Sequence, residues 1–348
     1  MIPYLFMLAL PALLVLSPFR GNNNVRRLAW GSIGVVFTLF IGLRHQVGAD
    51  WFNYLVHYQA AVDIPFTEAV GLSDPGYYAL NWLSALFGTE IYMVNLVCAG
   101  IVMTGVISFS RRQPLPWLAL LVAVAYTLVV VAMGYTRQGV AIGFELLALV
   151  AVIDGRLGRF VFFILLGALF HKTLMVMLPI GFLATSQNSY RTVFFGVLVC
   201  IVLSLTILAE QYASLWLNYV ANPMVSDGGP VRVAMNALPA LICILFRKKL
   251  MPSTDRERRL WIIMAFLSLA CIPLVFVAST AVDRIALYFI PLQLYVYSNF
   301  HRLFPDRMFR TVAVLAVIFG YGTVLWVWLT FGSYLFAWLP YQMFPFVE

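Results

Sequence analysis

Apolar residues of this chain fall into long runs that are separated by short polar segments. The runs cover residues 2–16, 28–43, 91–109, 117–133, 138–153, 160–182, 192–209, 231–246, 260–277, 285–299 and 311–330. A membrane-spanning helix needs about 20 mostly apolar residues, with a range of about 17 to 25. The pattern therefore predicts an all-α, polytopic integral membrane protein in which several spans are near the lower length limit.

The composition agrees with this prediction and also excludes a separate soluble domain. Of the 348 residues, 63% are hydrophobic and 10% are charged, whereas a soluble domain is about 25% charged. No polar segment is long enough to form a soluble domain, so we expect one transmembrane domain over residues 1–348. Nucleotide-binding domains and Walker motifs are thereby excluded.

The basic residues are distributed as they are in the loops of a membrane protein. All but five of the 22 Lys and Arg residues lie in short segments between apolar runs, and cytoplasmic loops retain such residues. They form no basic stripe, so we expect no nucleic-acid partner despite a net charge of +8. The five exceptions need another explanation: Arg44, Arg137, Lys172, Arg232 and Arg284.

The positive-inside pattern indicates that one of the apolar runs does not cross the membrane. If every run crossed once, the strongly basic 247–259 segment would lie outside, against the positive-inside pattern. Either 160–182 re-enters on its own side, which we favour, or it crosses and 211–226 re-enters. Both choices leave about ten full spans, with both termini outside.

Run 160–182 is favoured because polar residues interrupt it. His171 and Lys172 lie in its middle, and Pro179 follows. We expect two half-helices, at about 160–170 and 173–183, in a broken pair whose exposed backbone must be buried in protein or line a wet cavity.

Two outer-face segments are predicted, at residues 44–90 and 210–230. From Asp50, the helical period places Asn53 and His57 on one face and apolar residues on the other. This pattern predicts an amphipathic helix at the membrane interface whose polar face can meet a ligand. The alternative is an ordinary interfacial helix, with Arg44 reaching towards the lipid headgroups.

Two arginines are placed at the predicted starts of helices. Arg137 precedes the apolar run at 138–153, and Arg284 follows Asp283 at the start of the run at 285–299. The helix dipole disfavours a cation there and favours an anion. Both positions therefore suggest anion binding, although Asp283 could also act as a helix cap.

Two further charges lie inside apolar runs. A Lys or Arg at the bilayer centre costs roughly 2.5–3.5 kcal/mol, so Lys172 is a functional candidate. The structural alternative is a pair with Glu145, which lies two turns after Gln138. Arg232 is a weaker candidate, because snorkelling also explains one arginine near a membrane surface.

These cations all belong to the predicted outer half of the bilayer. The planar guanidinium group binds phosphate oxygens in pairs. The chain has no Asp-x-Asp pair and no His/Glu spacing typical of a metal site. We therefore expect a pyrophosphate neutralised by cationic side chains, with no metal and no cofactor.

At these residues the sequence resembles the EpsG family, membrane proteins of exopolysaccharide clusters that are Wzy-like repeat-unit polymerases. The landmarks occur in family order over residues 40–341: Gly42-Leu-Arg44, Gly48-x-Asp50-x-x-Asn53-Tyr54, Asp74-Pro-Gly-Tyr77 with Asn81, Arg137-Gln138 with Ala141, Phe170-His171-Lys172 with Pro179, Asp283-Arg284 with Tyr288, and Pro340-Tyr341.

The resemblance implies a GT-C-like or ligase-like membrane transferase. It would act on the outer face of the bacterial cytoplasmic membrane, moving a growing glycan from undecaprenyl pyrophosphate to a sugar hydroxyl of the next lipid-linked repeat unit. Membrane lipid is the surrounding partner, and a chain-length regulator and a flippase are partners that the family implies.

The residues expected to bind substrate are Arg44, Asn53, Tyr54, Arg137, Gln138, Lys172, Arg232, Arg284, Tyr288 and Tyr341. Asp50 is the first candidate for the base that takes the acceptor proton, His171 the second and Asp283 the third.

Two rival functions stay open. An O-antigen-ligase-like transferase would use the same donor with a different acceptor. A flippase or transporter would show broken helices in corresponding halves of the chain, whereas this sequence has one interrupted run and no clear internal repeat.

Overall fold

The computed structural model describes residues 1–17, 22–185, 228–251 and 254–347, together with the single positions 190, 194 and 201. Three sequence-based expectations lie wholly or mostly outside the described residues: the apolar run 192–209, the outer segment 210–230 and the alternative re-entrant segment 211–226.

Helices make up most of the first half of the chain. In order, the elements are α1 (Ile2–Leu16), α2 (Asn23–Gly42), β1 (Arg44–His45), α3 (Trp51–Gln59), α4 (Phe66–Ala69), α5 (Pro75–Leu86), α6 (Glu90–Ser110), α7 (Pro116–Ala123) and α8 (Thr136–Ile153). A π-helical stretch, Val124–Ala132, continues α7 towards α8.

The second half is also helical, with several short interruptions. Its α-helices are α9 (Leu157–Ala168), α10 (Met177–Thr185), α11 (Gly229–Leu245), α12 (Arg247–Leu250), α13 (Asp255–Leu274), α14 (Ser279–Ala286), α15 (Ile290–Asn299) and α16 (Arg307–Phe331). Four 3-10 segments lie between or after them, at Lys172–Val176, Leu287–Phe289, Phe300–Leu303 and Leu335–Ala337. The strand β2 (Gln342–Met343) pairs antiparallel with β1.

These helices confirm the all-α prediction, and their apolar character is that of a membrane protein. Within the described ranges, four helices are long and apolar enough to cross a membrane: α2, α6, α8 and α16. Shorter apolar helices cover 2–16, 116–132, 157–168, 172–185 and 229–245. The total of ten spans and the GT-C-like architecture stay predictions.

Helix α8 is the packing centre of the described helices. A Cβ at Gly105 of α6 would lie 2.1 Å from the backbone oxygen of Gly143, so the two helices touch backbone to backbone. We call the start of α8 the Arg137 end. We call its finish, where Asp154 follows, the Asp154 end.

Run 160–182 is a broken helix that folds back on itself. Helix α9 stops at Ala168, and Lys172 begins a 3-10 turn that leads into α10. The Phe160 ring packs against Gly181, near the open ends of the pair. The halves therefore run antiparallel, as predicted, with both open ends at the Asp154 end; their depth in a membrane stays a prediction.

The last residues of the described chain pack at the Arg137 end. The Tyr4 hydroxyl donates to the carbonyl of Trp338 at 2.7 Å, and the Gly48 amide donates to the carbonyl of Ala337 at 2.7 Å. Trp338 itself donates to Val129 in the π-helical stretch at 2.9 Å. The tail thus braces the segment that carries Asp50.

Candidate active site

A cavity of about 440 Å³ opens at the Arg137 end. Segments that are distant in sequence form its walls: the residues before α3 and α5, the start of α8, the turn between α9 and α10, and helices α11 and α14. Nine predicted residues line it: Asp50, Tyr54, Arg137, Gln138, His171, Lys172, Arg232, Asp283 and Arg284.

Arg137 is held in place on several sides. Its Nη1 atom lies 2.7 Å from Oδ2 of Asp74, and its guanidinium carbon lies 6.0 Å and 5.9 Å from the ring centres of Tyr54 and Tyr77. Next to Asp74, Gly76 lies so close to Leu169 that a side chain would meet it at 3.0 Å. Helix α5 and the α9–α10 turn therefore fix the acid that pairs with Arg137.

A second ion pair lies across the cavity wall. Nε of Arg232 is 2.7 Å from Oδ1 of Asp283, and Nη1 of Arg232 donates to the Tyr135 hydroxyl at 3.4 Å. Both charged side chains are largely buried, at 14% and 9% exposure. Arg232, the weakest of the predicted residues, is therefore a wall residue of the cavity.

Two cations of the cavity are left without such a partner. Among the described residues, the side chains of Lys172 and Arg284 form no hydrogen bond and no ion pair. The alternative pair of Lys172 with Glu145 is not formed, because the fully buried Glu145 carboxyl has no described hydrogen-bond partner. Lys172 and Arg284 are therefore available to an anionic ligand.

The helix around Arg284 corrects one sequence-based argument. Helix α14 begins at Ser279, so Arg284 lies in its last turn and Asp283 lies inside it. A cation is favoured at a helix C-terminus, and Asp283 caps no helix start. The dipole argument for anion binding therefore holds for Arg137, at the second position of α8, and fails for Arg284.

His171 is oriented by a short chain of hydroxyl groups. The Thr173 hydroxyl lies 2.7 Å from Nδ1 of His171 and 2.9 Å from the hydroxyl of Tyr288. The Nε2 atom of His171 makes no hydrogen bond within the described part of the chain. It is thus the ring nitrogen that remains open to a ligand.

Asp50 is positioned by a tight approach of its loop to the end of the π-helical stretch. Gly48 has φ of +110°, and a Cβ there would lie 2.1 Å from the carbonyl oxygen of Met133. Asn53 donates to Oδ1 of Asp50 at 3.2 Å. Burial raises the pKa of Asp50, while the Asn53 hydrogen bond and the charges of Arg137 and Arg284 oppose the shift.

Arg44 is the clearest departure from the predicted substrate-binding set. Its side chain is 1% exposed and does not line the cavity. It donates to the carbonyls of Ile41 and Val47 at 2.6 Å and 3.0 Å, and to Thr136 at 2.8 Å. We therefore withdraw its predicted contact with substrate, because burial leaves a ligand no approach and Arg44 instead joins the end of α2 to the start of α8.

Three other predicted residues do not line the cavity: Tyr341, Tyr288 and Asn53. Tyr341 donates to the carbonyl of Phe40 at 2.7 Å and packs the tail against α2. Tyr288 is fully buried and reaches the site through Thr173, and Asn53 acts on Asp50. Direct substrate contact is thus not expected from Tyr288 and Tyr341, whereas contact with the exposed Asn53 stays a prediction.

Gln138 has a structural contact in addition to its place in the cavity wall. Its Nε2 donates to the backbone carbonyl of Arg284 at 2.7 Å. This bond joins the first turn of α8 to the last turn of α14. This neutral hydrogen bond therefore holds positions 137 and 284 near each other, and it does not depend on the charges of the two arginine side chains.

The sequence-based site lacked several residues that the fold brings in. The cavity also takes in Ser73, Asp74, Tyr135, Thr173, Thr280 and Leu287. Asp74 stands in the helix-cap position before Pro75, yet it makes no capping hydrogen bond and pairs with Arg137 instead. Its place in an EpsG landmark was the one signal that could have found it.

The described residues contain no group of three or more His, Cys, Asp or Glu side chains that could hold a metal ion. The acids of the cavity are used otherwise, since Asp74 and Asp283 each pair with an arginine. The expectation of a metal-free site stays a prediction.

Comparison with known families decides which group of proteins the chain falls into. The model of the EpsG family matches residues 27–343, which is nearly the whole chain. The chain belongs to the EpsG family. Its membership confirms the resemblance and points to a glycosyltransferase-like, Wzy-like polysaccharide polymerase role.

Comparison of this EpsG-family protein with curated proteins and with solved structures gives no match. The matched range contains every residue of the cavity described above. The cavity is therefore part of the family region itself and does not belong to an added segment.

Proposed function

We propose that this EpsG-family protein transfers a growing glycan from undecaprenyl pyrophosphate to a sugar hydroxyl of the next lipid-linked repeat unit. The reaction takes place at the Arg137-end cavity, on the outer face of the bacterial cytoplasmic membrane, and needs no metal. The observation that supports the proposal is a pair of cations, Lys172 and Arg284, that have no partner among the described residues, in a cavity where the other two cations are paired with acids.

The proposed role of the two cations is to stabilise the leaving group. As the bond between the sugar carbon and the pyrophosphate oxygen breaks, negative charge grows on the pyrophosphate. Fixed charges aimed at that oxygen lower the barrier more than any other single term in most enzymes. Arg137 contributes a third positive charge, partly offset by Asp74.

The proposed base is Asp50. When the acceptor hydroxyl forms the new glycosidic bond, its proton moves to the base, and the undecaprenyl pyrophosphate leaves with the bonding electrons. Asp283 is less suited because its carboxylate is already engaged in the ion pair with Arg232. His171 remains the second candidate through Nε2.

The test uses purified protein in detergent with a lipid-linked repeat unit as both donor and acceptor. We expect polymer from the wild type with EDTA present, and accumulation of single units with Arg284→Ala. Arg307→Ala is the matched control, since Arg307 is an exposed arginine that begins α16 away from the cavity. Loss of polymer on EDTA treatment would refute the metal-free mechanism.

The same variants distinguish the rival functions in cells. A polymerase defect leaves single lipid-linked units on the outer face of the membrane. A flippase defect leaves them on the inner face, and a ligase defect leaves finished polymer that is not attached to its acceptor. Normal chain lengths in Arg284→Ala cells would contradict the site as proposed.

A further inference from the structure

A second charged cavity lies at the Asp154 end, away from the proposed active site. Its volume is about 440 Å³, and it lies between the end of α6, the end of α8 and the start of α9. The 18 residues of α8 separate the two cavities by about 27 Å at 1.5 Å per residue. This second cavity thus takes no part in the chemistry proposed above.

Four arginines line this cavity against a single acid. Arg112 forms a two-point ion pair with Asp154, with Nη2 to Oδ2 at 2.9 Å. Among the described residues, Arg111, Arg156 and Arg159 have no side-chain hydrogen bond and no ion pair. The cavity therefore presents three guanidinium groups that no described residue pairs.

The cavity also has an apolar side next to a neighbouring groove. Leu147, Val150 and Phe163 form its apolar wall. A groove of about 620 Å³ between α2 and α6 adjoins it, and both share Ser108 and Arg111 as lining residues. The charged cavity and the groove therefore form one continuous surface.

Glycine residues keep this groove open. A Cβ at Gly31 of α2 would have nothing within 4 Å, and one at Gly100 of α6 would meet only Thr38, at 3.9 Å. Between these two positions the groove is narrower, since a Cβ at Gly34 would lie 2.9 Å from a side-chain carbon of Ile107. The open part of the groove is lined mostly by apolar side chains. Its polar lining residues are threonines along the groove, and serine and arginine near the charged cavity.

We propose that this surface binds one anionic phospholipid. The phosphate group lies among Arg111, Arg156 and Arg159, and an acyl chain occupies the groove past Gly31. Basic pockets between membrane helices recognise anionic lipid headgroups in this way, and guanidinium groups match phosphate oxygens in pairs. A soluble phosphate would satisfy the arginines and leave the apolar groove unused.

The test is a binding titration of purified full-length protein in an uncharged detergent, followed by native mass spectrometry. The probes are phosphatidylglycerol, phosphatidylcholine and glycerol phosphate, which has the anionic group but no acyl chain. We expect one tightly retained phosphatidylglycerol and no comparable retention of the other two. Equal retention of phosphatidylcholine, or glycerol phosphate bound as tightly, would overturn the proposal.

Charge variants separate a built site from general surface attraction. Arg156→Gln with Arg159→Gln removes two cavity arginines, and Arg307→Gln with Arg310→Gln removes two exposed arginines outside the cavity. Each surface cation contributes about 1 kcal/mol to binding of anionic lipid, so the control is expected to show the general part alone. We expect the cavity variant to lose at least about tenfold more affinity; equal losses would refute a specific site.

A third variant tests the acyl-chain groove without changing any charge. Gly31→Leu fills open space and replaces a residue of low helix propensity, so folding is expected to be retained. We expect weaker retention of phosphatidylglycerol, with thermal unfolding in lipid-free detergent unchanged. Unchanged retention would remove the groove from the proposal and so overturn it, while leaving the polymerase proposal untouched.

Discussion

The two ends of α8 carry arginines under opposite conditions. At the Arg137 end, Arg137 and Arg232 are largely buried, with side-chain exposures of 27% and 14%, and each is paired with an acid. At the Asp154 end, Arg112 is 44% exposed although it is paired, and no described residue pairs with its neighbours Arg111, Arg156 and Arg159. Burial of the paired arginines therefore separates the two ends.

The difference shows how an unpaired cation should be interpreted. Removing a charge from water costs several kcal/mol unless a partner compensates, whereas an exposed cation needs none. An unpaired arginine at the Asp154 end is thus compatible with topology alone, and the lipid site proposed there rests on the shared cavity and its adjoining apolar groove. Lys172 is half-buried and Arg284 is exposed at the cavity, so their significance rests on their place beside two paired cations, where they are available to an anionic ligand.

The largest expected effect is the loss of both unpaired cations of the Arg137 end. We expect Lys172→Ala with Arg284→Ala to slow polymer formation roughly 10³-fold, since one such electrostatic donor typically contributes about 10²–10³. The measurement is the initial rate with a lipid-linked repeat unit. Arg307→Ala with Arg310→Ala is the control, and equal losses would show that the two groups of cations are equivalent.

The next effect concerns the proposed base. A positioned base contributes about 10²–10⁴, so we expect Asp50→Asn to lower kcat/KM about 100-fold. Because burial raises the pKa of Asp50, wild-type activity should fall with decreasing pH already above the ordinary pKa of an aspartate, as the base becomes protonated. Asp50→Asn should lack this acid limb, and an unchanged limb would assign the base elsewhere.

A third prediction separates a structural arginine from a substrate-binding one at the same end. Arg44→Lys keeps the charge but loses several hydrogen-bond donors of the buried guanidinium group. A hydrogen bond to a charged group contributes about 1.5–3 kcal/mol. We expect a loss of about 2 kcal/mol in stability, measured by thermal unfolding in detergent. The control Arg26→Lys, at an exposed position, should change stability by less than about 0.5 kcal/mol.

The smallest effect is expected from the exposed ion pair. Arg112→Gln breaks the bond to Asp154 and should cost at most about 1 kcal/mol, because solvent screens exposed pairs. Asp74→Asn, which breaks the buried pair with Arg137, should lower the unfolding temperature more. If the two variants lose equal stability, burial does not distinguish the two ends.

Much of the fold was predictable because membrane helices are specified locally. The apolar runs match most of the longer described helices, although α4 and α5 lie in none of them. The break of run 160–182 could be located because His171 and Lys172 are costly in an apolar segment. Helix α14 was misjudged, since its first turns, Ser279–Asp283, are too polar to extend the apolar run. The start of that helix depends on packing against other elements and not on its own hydropathy.

The site was predictable in its cations but not in its partners. Arg137, Lys172, Arg232 and Arg284 were found because a charge in an apolar context needs a reason. Asp74 had a sufficient local explanation, a cap before proline, and so gave no sign of its pairing with a residue 63 positions away. Arg44 belongs, like the cavity cations, to the five basic residues outside the short basic segments. Its burial is what distinguishes it from them.

The sequence alone established an all-α membrane protein, the separation of its basic residues into two groups and the interrupted run, because hydropathy and the cost of buried charge act over single helices. It also established the family through the order of short motifs. The folded chain settled which cations are paired, which are buried as structure and which remain open in a cavity, because those properties depend on contacts between helices that are far apart along the chain.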